Sequence, residues 1–111
     1  MSDLADKEPQ DGVLSPTERR AYLQRLDESV WEVVDGHHLE GSFDFSDFNE
    51  ALAFTNEVGE LADEYWHHPD IHLSWGNVSI TLYSHDVDGL QELDFVLAAN
   101  IEQRYHSMLD D

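Results

Sequence analysis

The residues with the most chemical potential lie in one short stretch, Asp63-Glu64-Tyr65-Trp66-His67-His68-Pro69-Asp70, with a third histidine, His85, further along. Unperturbed imidazole titrates at about 6.5, so at neutral pH it can donate or accept a proton. Two or three imidazoles in one cleft can protonate one atom of a substrate and deprotonate another. Two other readings stay open. His67-His68-Pro69 also suits a polar helix stop, and His67, His68, His72 and His85 all carry nitrogens that suit a metal ion. The spacing is not the His-x-x-x-His of a helical metal site, and no metal is expected.

Two further side chains belong with these. Trp75, beside Gly76-Asn77, reads as a core residue or as the wall of a pocket for a flat heterocycle. Asp94, early in the last helix, reads as a partner of the helix dipole or as a carboxylate that orients an imidazole. His37-His38 falls in a hairpin loop and is expected to be solvated, as is His106. The chain has no cysteine, which excludes disulfides, thiol catalysis and thiolate metal sites. It has no Gly-x-Ser-x-Gly nucleophile turn and no phosphate-cradling glycine loop.

The elements that must position these groups can be read from periodicity. Residues 1–13 are polar and acidic and are expected to form a flexible tail, leaving 14–111 as a single domain. Ser15-Pro16-Thr17-Glu18 is a capping-box helix start, with the helix running to Leu26 or Asp27. Val30–Val34 and Leu39–Phe45 are strand patterns joined at Asp35-Gly36-His37-His38. Ser46 is expected to cap a long helix whose apolar positions recur from Phe48 to Trp66. Pro69 disfavours helical geometry at His68, which places the helix end at about His67. Ile71–Trp75 and Val78–Ser84 form a second hairpin through Gly76-Asn77. The last helix carries Leu90, Leu93, Leu97, Ile101, Tyr105 and Met108 on one stripe, with Asp88 as its expected cap. The order α-β-β-α-β-β-α defines an α+β fold, a four-stranded antiparallel sheet with three helices on one face. Glu40, Ser42, Ser79 and Thr81 are then expected on the other.

The chain carries 25 acidic residues against 5 Lys plus Arg, a formal charge of −20. Such a surface repels phosphate backbones, so direct nucleic-acid binding is not expected. A 41% hydrophobic content argues for a packed core rather than disorder. The acidic residues are spread over every segment. That distribution suits adaptation to high salt, where the screening length shrinks to about 3 Å at 1 M, better than it suits one cationic partner. No segment reads as a secretory signal or a membrane span, and a cytoplasmic location is expected.

The spacing of Asp63, His67-His68-Pro69, Trp75, His85 and Asp94 resembles the signature of the pterin-4a-carbinolamine dehydratase family. Phe45-x-x-Phe48, Ile80-Thr81-Leu82, Gly89-Leu90 and Ile101-Glu102 fit the same pattern, and the likeness runs from about Ser15 to Tyr105. It implies dehydration of a 4a-hydroxytetrahydropterin to the quinonoid dihydropterin without metal or organic cofactor. It further implies that His67 and His85 are an acid/base pair and that His68 orients the pterin. Pro69 and Trp75 would add substrate contacts, with Asp94 and Asp63 in support. Homodimers or homotetramers are implied as well. The chain departs from the family at Gln91, where Ser or Thr is usual. Some relatives resemble a dimerisation cofactor of a transcription factor. That keeps open a non-catalytic pterin-binding or protein-interaction module.

Overall fold

The computed structural model describes residues 4–109. Helix α1 spans Pro16–Leu23, strand β1 Trp31–Val34, β2 His38–Asp44, helix α2 Phe48–Tyr65, β3 Asp70–Ser74, β4 Asn77–Leu82 and helix α3 Glu92–Leu109. The strands form one antiparallel sheet in the order β1-β2-β4-β3. This is the α+β arrangement expected from the sequence.

Alternation decides which face is covered. Leu39, Phe43, Val78, Ile80 and Leu82 are all fully buried beneath the helices. Their neighbours Glu40, Ser42 and Asp44 are exposed on the opposite face, with Ser79 and Thr81 partly so. From the helices, Phe54, Val58, Phe95, Leu97 and Ile101 complete the core. Phe43, Phe54 and Tyr105 meet there at ring separations of 4.9–5.8 Å, tilted or edge-on as aromatic quadrupoles prefer. Trp31 pairs with Gly41 across β1 and β2. A methyl group at Gly41 would stand 2.7 Å from the indole ring, so this position admits no side chain.

Several boundaries differ from expectation, each for a local reason. Helix α1 stops at Leu23, and Leu26 is buried just beyond it. The cap of α2 is Asp47, whose carboxylate accepts the Glu50 amide, rather than Ser46. Helix α2 ends at Tyr65, two residues before His67, because Trp66 turns into the left-handed region at φ 51°. The His67 amide then bonds the Ala62 carbonyl and the Trp66 amide the Asp63 carbonyl. This pair of bonds is the Schellman closure. The β3–β4 turn is Trp75-Gly76, since Ser74 pairs with Asn77. Trp75 is 69% exposed and is not a core residue.

Helix α3 starts at Glu92 rather than at an Asp88 cap. Asp88 instead occupies the preceding turn with φ 49°. The side chain of Gln91 accepts the Gly12 amide, and the Asp94 carboxylate reaches back to the Gln91 amide. Residues 1–3 lie outside the described residues. The rest of the segment expected to be a free tail is held against α3. Leu4 and Ala5 are buried, Lys7 pairs with Glu92 at 3.1 Å, and the Leu14 amide bonds the Leu90 carbonyl.

Candidate active site

The end of α2, the end of β4 and the start of α3 meet at a single carboxylate. Asp94 is completely buried. Its Oδ2 accepts the Ser84 hydroxyl at 2.8 Å and the Gln91 amide at 2.9 Å. Its Oδ1 lies 2.5 Å from His67 Nε2. The two oxygens thus have different partners: Oδ2 meets the helix start and Oδ1 an imidazole. A buried carboxylate needs donors to replace water, and these three supply them.

The contact fixes the chemistry available to His67. A carboxylate only accepts hydrogen bonds, so Nε2 carries the proton that faces Asp94. Nδ1 is left as the atom that can exchange a proton with a substrate. The left-handed turn at Trp66 is what swings His67 off the helix toward Asp94, with its side chain only 12% exposed. A non-glycine residue in this conformation costs about 1–2 kcal/mol.

His68 points elsewhere. Its Nε2 meets Asp63 Oδ1 at 2.8 Å on the last turn of α2, and both side chains are at least half exposed. Pro69 follows and leads into β3. His85 is exposed and sits directly after Ser84, with its ring 4.2 Å from that of Tyr83. Since Ser84 is tied to Asp94, one carboxylate holds His67 directly and the neighbour of His85. The structure does not bring Trp75 to this end. The β3–β4 register places Trp75 about 16 Å from Asp70 by strand rise. His72 is exposed and paired with Ser79 on the open sheet face. Among the described residues no group of three or more His, Asp or Glu side chains stands ready to hold a metal ion.

Four residues escape sequence reasoning. Ser84 carries no spacing signal. Trp66 reads as part of the apolar stripe of α2, yet it is 81% exposed, with its ring 5.3 Å from His68. His37 and His38 are not free in solvent: both are partly buried and their Nδ1 atoms lie 3.1 Å apart.

The class defined here is a small α+β domain in which a buried aspartate ties His67 and the residue before His85 to the start of the last helix, at one end of a helix-backed antiparallel sheet. The family described as Pterin 4 alpha carbinolamine dehydratase matches residues 12–104, and the chain belongs to that family. A Rubrobacter xylanophilus protein that carries the name pterin-4-alpha-carbinolamine dehydratase is 50% identical over 107 residues, 93% of this chain and 99% of its own. One from Alkaliphilus metalliredigens is 50% identical over 91 residues, 82% of this chain and 81% of its own. A crystal structure described as a transcriptional coactivator/pterin dehydratase from Brucella melitensis superposes with a TM-score of 0.79 at 30% identity. It covers 85% of this chain and 99% of its own.

Proposed function

We propose that this chain dehydrates a 4a-hydroxytetrahydropterin to the quinonoid dihydropterin, with His67 and His85 as the acid/base pair. The observation that carries this reading is the bonding of Asp94, which holds His67 through one oxygen and Ser84, the neighbour of His85, through the other. In the reaction the bond between the carbinolamine carbon and its hydroxyl oxygen breaks. One imidazole gives that oxygen a proton, so that it leaves as water. The second removes the proton of the adjacent ring nitrogen, and the C=N bond forms. Water is the only fragment lost and no oxidant is needed.

Asp94 orients His67 and supports the imidazolium whenever His67 holds a second proton. His68 and Pro69 contact the pterin, and Asp63 supports the His68 ring. Trp75 enters this reading only as a contact supplied by a second copy of the chain. Exposed Phe48 and Leu52 on α2 support such self-association. Stopped-flow mixing of the purified protein with 4a-hydroxytetrahydropterin tests the proposal. Acceleration over buffer that is lost in both His67→Ala and His85→Ala is expected; no acceleration at any salt concentration overturns it.

A second reading, a protein-interaction module on the same fold, is favoured by the coactivator description of the Brucella melitensis relative. It predicts a folded protein that gives no acceleration in the same assay.

A further inference from the structure

The turn between β1 and β2 reaches across the sheet end to the loop that carries His85. His37 Nε2 lies 2.7 Å from Asp88 Oδ1, 51 residues away in sequence. The His37 ring also lies 4.6 Å from Tyr83, whose ring is 4.2 Å from His85. Two separate connections therefore run from His37 to the segment 83–88, one on each side of His85. Within that segment the backbone closes on itself, through Ser84 N to Gly89 O at 2.8 Å and Asp88 N to His85 O at 3.3 Å.

We propose that His37 is a positioning residue for His85. Through Asp88 it pins the far side of the turn, and through Tyr83 it sets the surface on which the His85 ring rests. The inference rests on the dehydratase reading for its catalytic consequence, and on geometry alone for the clamp.

The hydrogen-bond pattern shows why His37 is held firmly enough to do this. His38 Nε2 lies 3.0 Å from Glu40 Oε2, so the chain of contacts runs Asp88–His37–His38–Glu40. Each outer nitrogen faces a carboxylate and must carry a proton, because a carboxylate only accepts. Charge-assisted bonds of this kind are about twice as strong as neutral ones.

The two connections can be separated by substitution. His37→Gln keeps an N–H donor for Asp88 and loses the ring. His37→Phe keeps a ring against Tyr83 and loses the donor. His37→Ala loses both. Three measurements apply to each variant and to Asp88→Asn: amide hydrogen exchange at Val87, Asp88 and Gly89, the ring NMR shifts of His85, and dehydration kcat and KM. His37→Ala is expected to speed loop exchange by about tenfold or more, the equivalent of one lost charge-assisted hydrogen bond. It is also expected to displace the His85 ring signals and to lower kcat with KM little changed. His37→Gln should restore slow exchange, and His37→Phe should restore the His85 shifts.

Unchanged exchange and unchanged His85 signals in His37→Ala overturn the clamp, whatever the activity. Faster exchange with kcat unaltered, in a wild type that His85→Ala inactivates, overturns the positioning role. A wild type without dehydratase activity removes the dehydratase reading instead, and the exchange and ring signals still decide the clamp.

Discussion

His67 and Ser84 are bonded to opposite oxygens of one buried carboxylate, that of Asp94. Because Ser84 immediately precedes His85, the ends of α2 and β4 are held to a common point by a group that is itself fixed to the start of α3. Asp94→Asn preserves the volume but puts an amide N–H2 where either the His67 donor or the Ser84 and Gln91 donors now point. We expect kcat to fall by roughly 10–100-fold, the loss typical of a hydrogen-bond partner that orients a functional imidazole and smaller than the loss of an acid–base group itself, with KM changed less. Asp94→Ala should in addition lower stability by about 3 kcal/mol, because it leaves buried donors without an acceptor. Kinetics and urea melts on the two variants check both statements. Wild-type kcat in Asp94→Asn would show that the carboxylate has no part in catalysis.

Trp66 separates backbone strain from substrate contact. Its left-handed conformation is natural for glycine, and its side chain is 81% exposed. Trp66→Gly is expected to leave stability equal or raise it by up to about 1 kcal/mol. If Trp66 also forms part of the pterin surface beside His68, KM rises while the melting temperature does not fall. Thermal melts and the dependence of rate on pterin concentration give the two readings independently.

The N-terminal segment should be stabilising rather than free. Glu92 is partly buried, which pushes its pKa up, but the Gln10 amide, Lys7 and Tyr22 outweigh this and hold it below the usual carboxylate range. Leu4 is fully buried beside them. Deleting residues 1–10 is expected to cost about 2–3 kcal/mol, the value of one buried leucine and its neighbours. Equal urea midpoints for the full and shortened chains would contradict the packed arrangement.

Glu102 gives a pH test of the fold. Its burial pushes the pKa up, against the Asp27 amide that bonds its carboxylate at 2.7 Å. The Trp31 indole N–H stands close by without reaching hydrogen-bonding geometry. A carboxyl raised above its unfolded value, about 4.3 for glutamate, favours the fold while protonated. That contribution is present below the unfolded value and is lost as pH rises through the folded one. Glu102→Gln keeps a carbonyl for the Asp27 amide and cannot ionise. Its stability relative to wild type should therefore improve between about pH 4 and pH 7. A difference that stays flat with pH would remove the burial argument.

The charge of −20 predicts a salt response. Repulsion among exposed carboxylates is screened as ionic strength rises. The melting temperature should climb steadily from low to multimolar potassium chloride. Equal melting temperatures at both ends of that series would rule out salt adaptation as the reason for the acidity.

The sequence determined the element order and the open polar face of the sheet. These follow from periodicity and spacing, which record how each element meets its neighbours along the chain. Only tertiary structure decided how the side chains are used. Nothing in the local pattern says that Trp66 turns left-handed, since a tryptophan there reads as one more apolar residue of α2. Nothing marks Ser84 as the donor that ties His85's neighbour to Asp94, because a hydroxyl gains a partner only when two distant elements dock. Trp75 was placed at the far end of its hairpin by register, and His37 was drawn from a presumed solvated loop onto Asp88 by the packing of that loop across the sheet. A sequence states which groups are available; a hydrogen bond between residues 51 positions apart exists only once the sheet has brought them together.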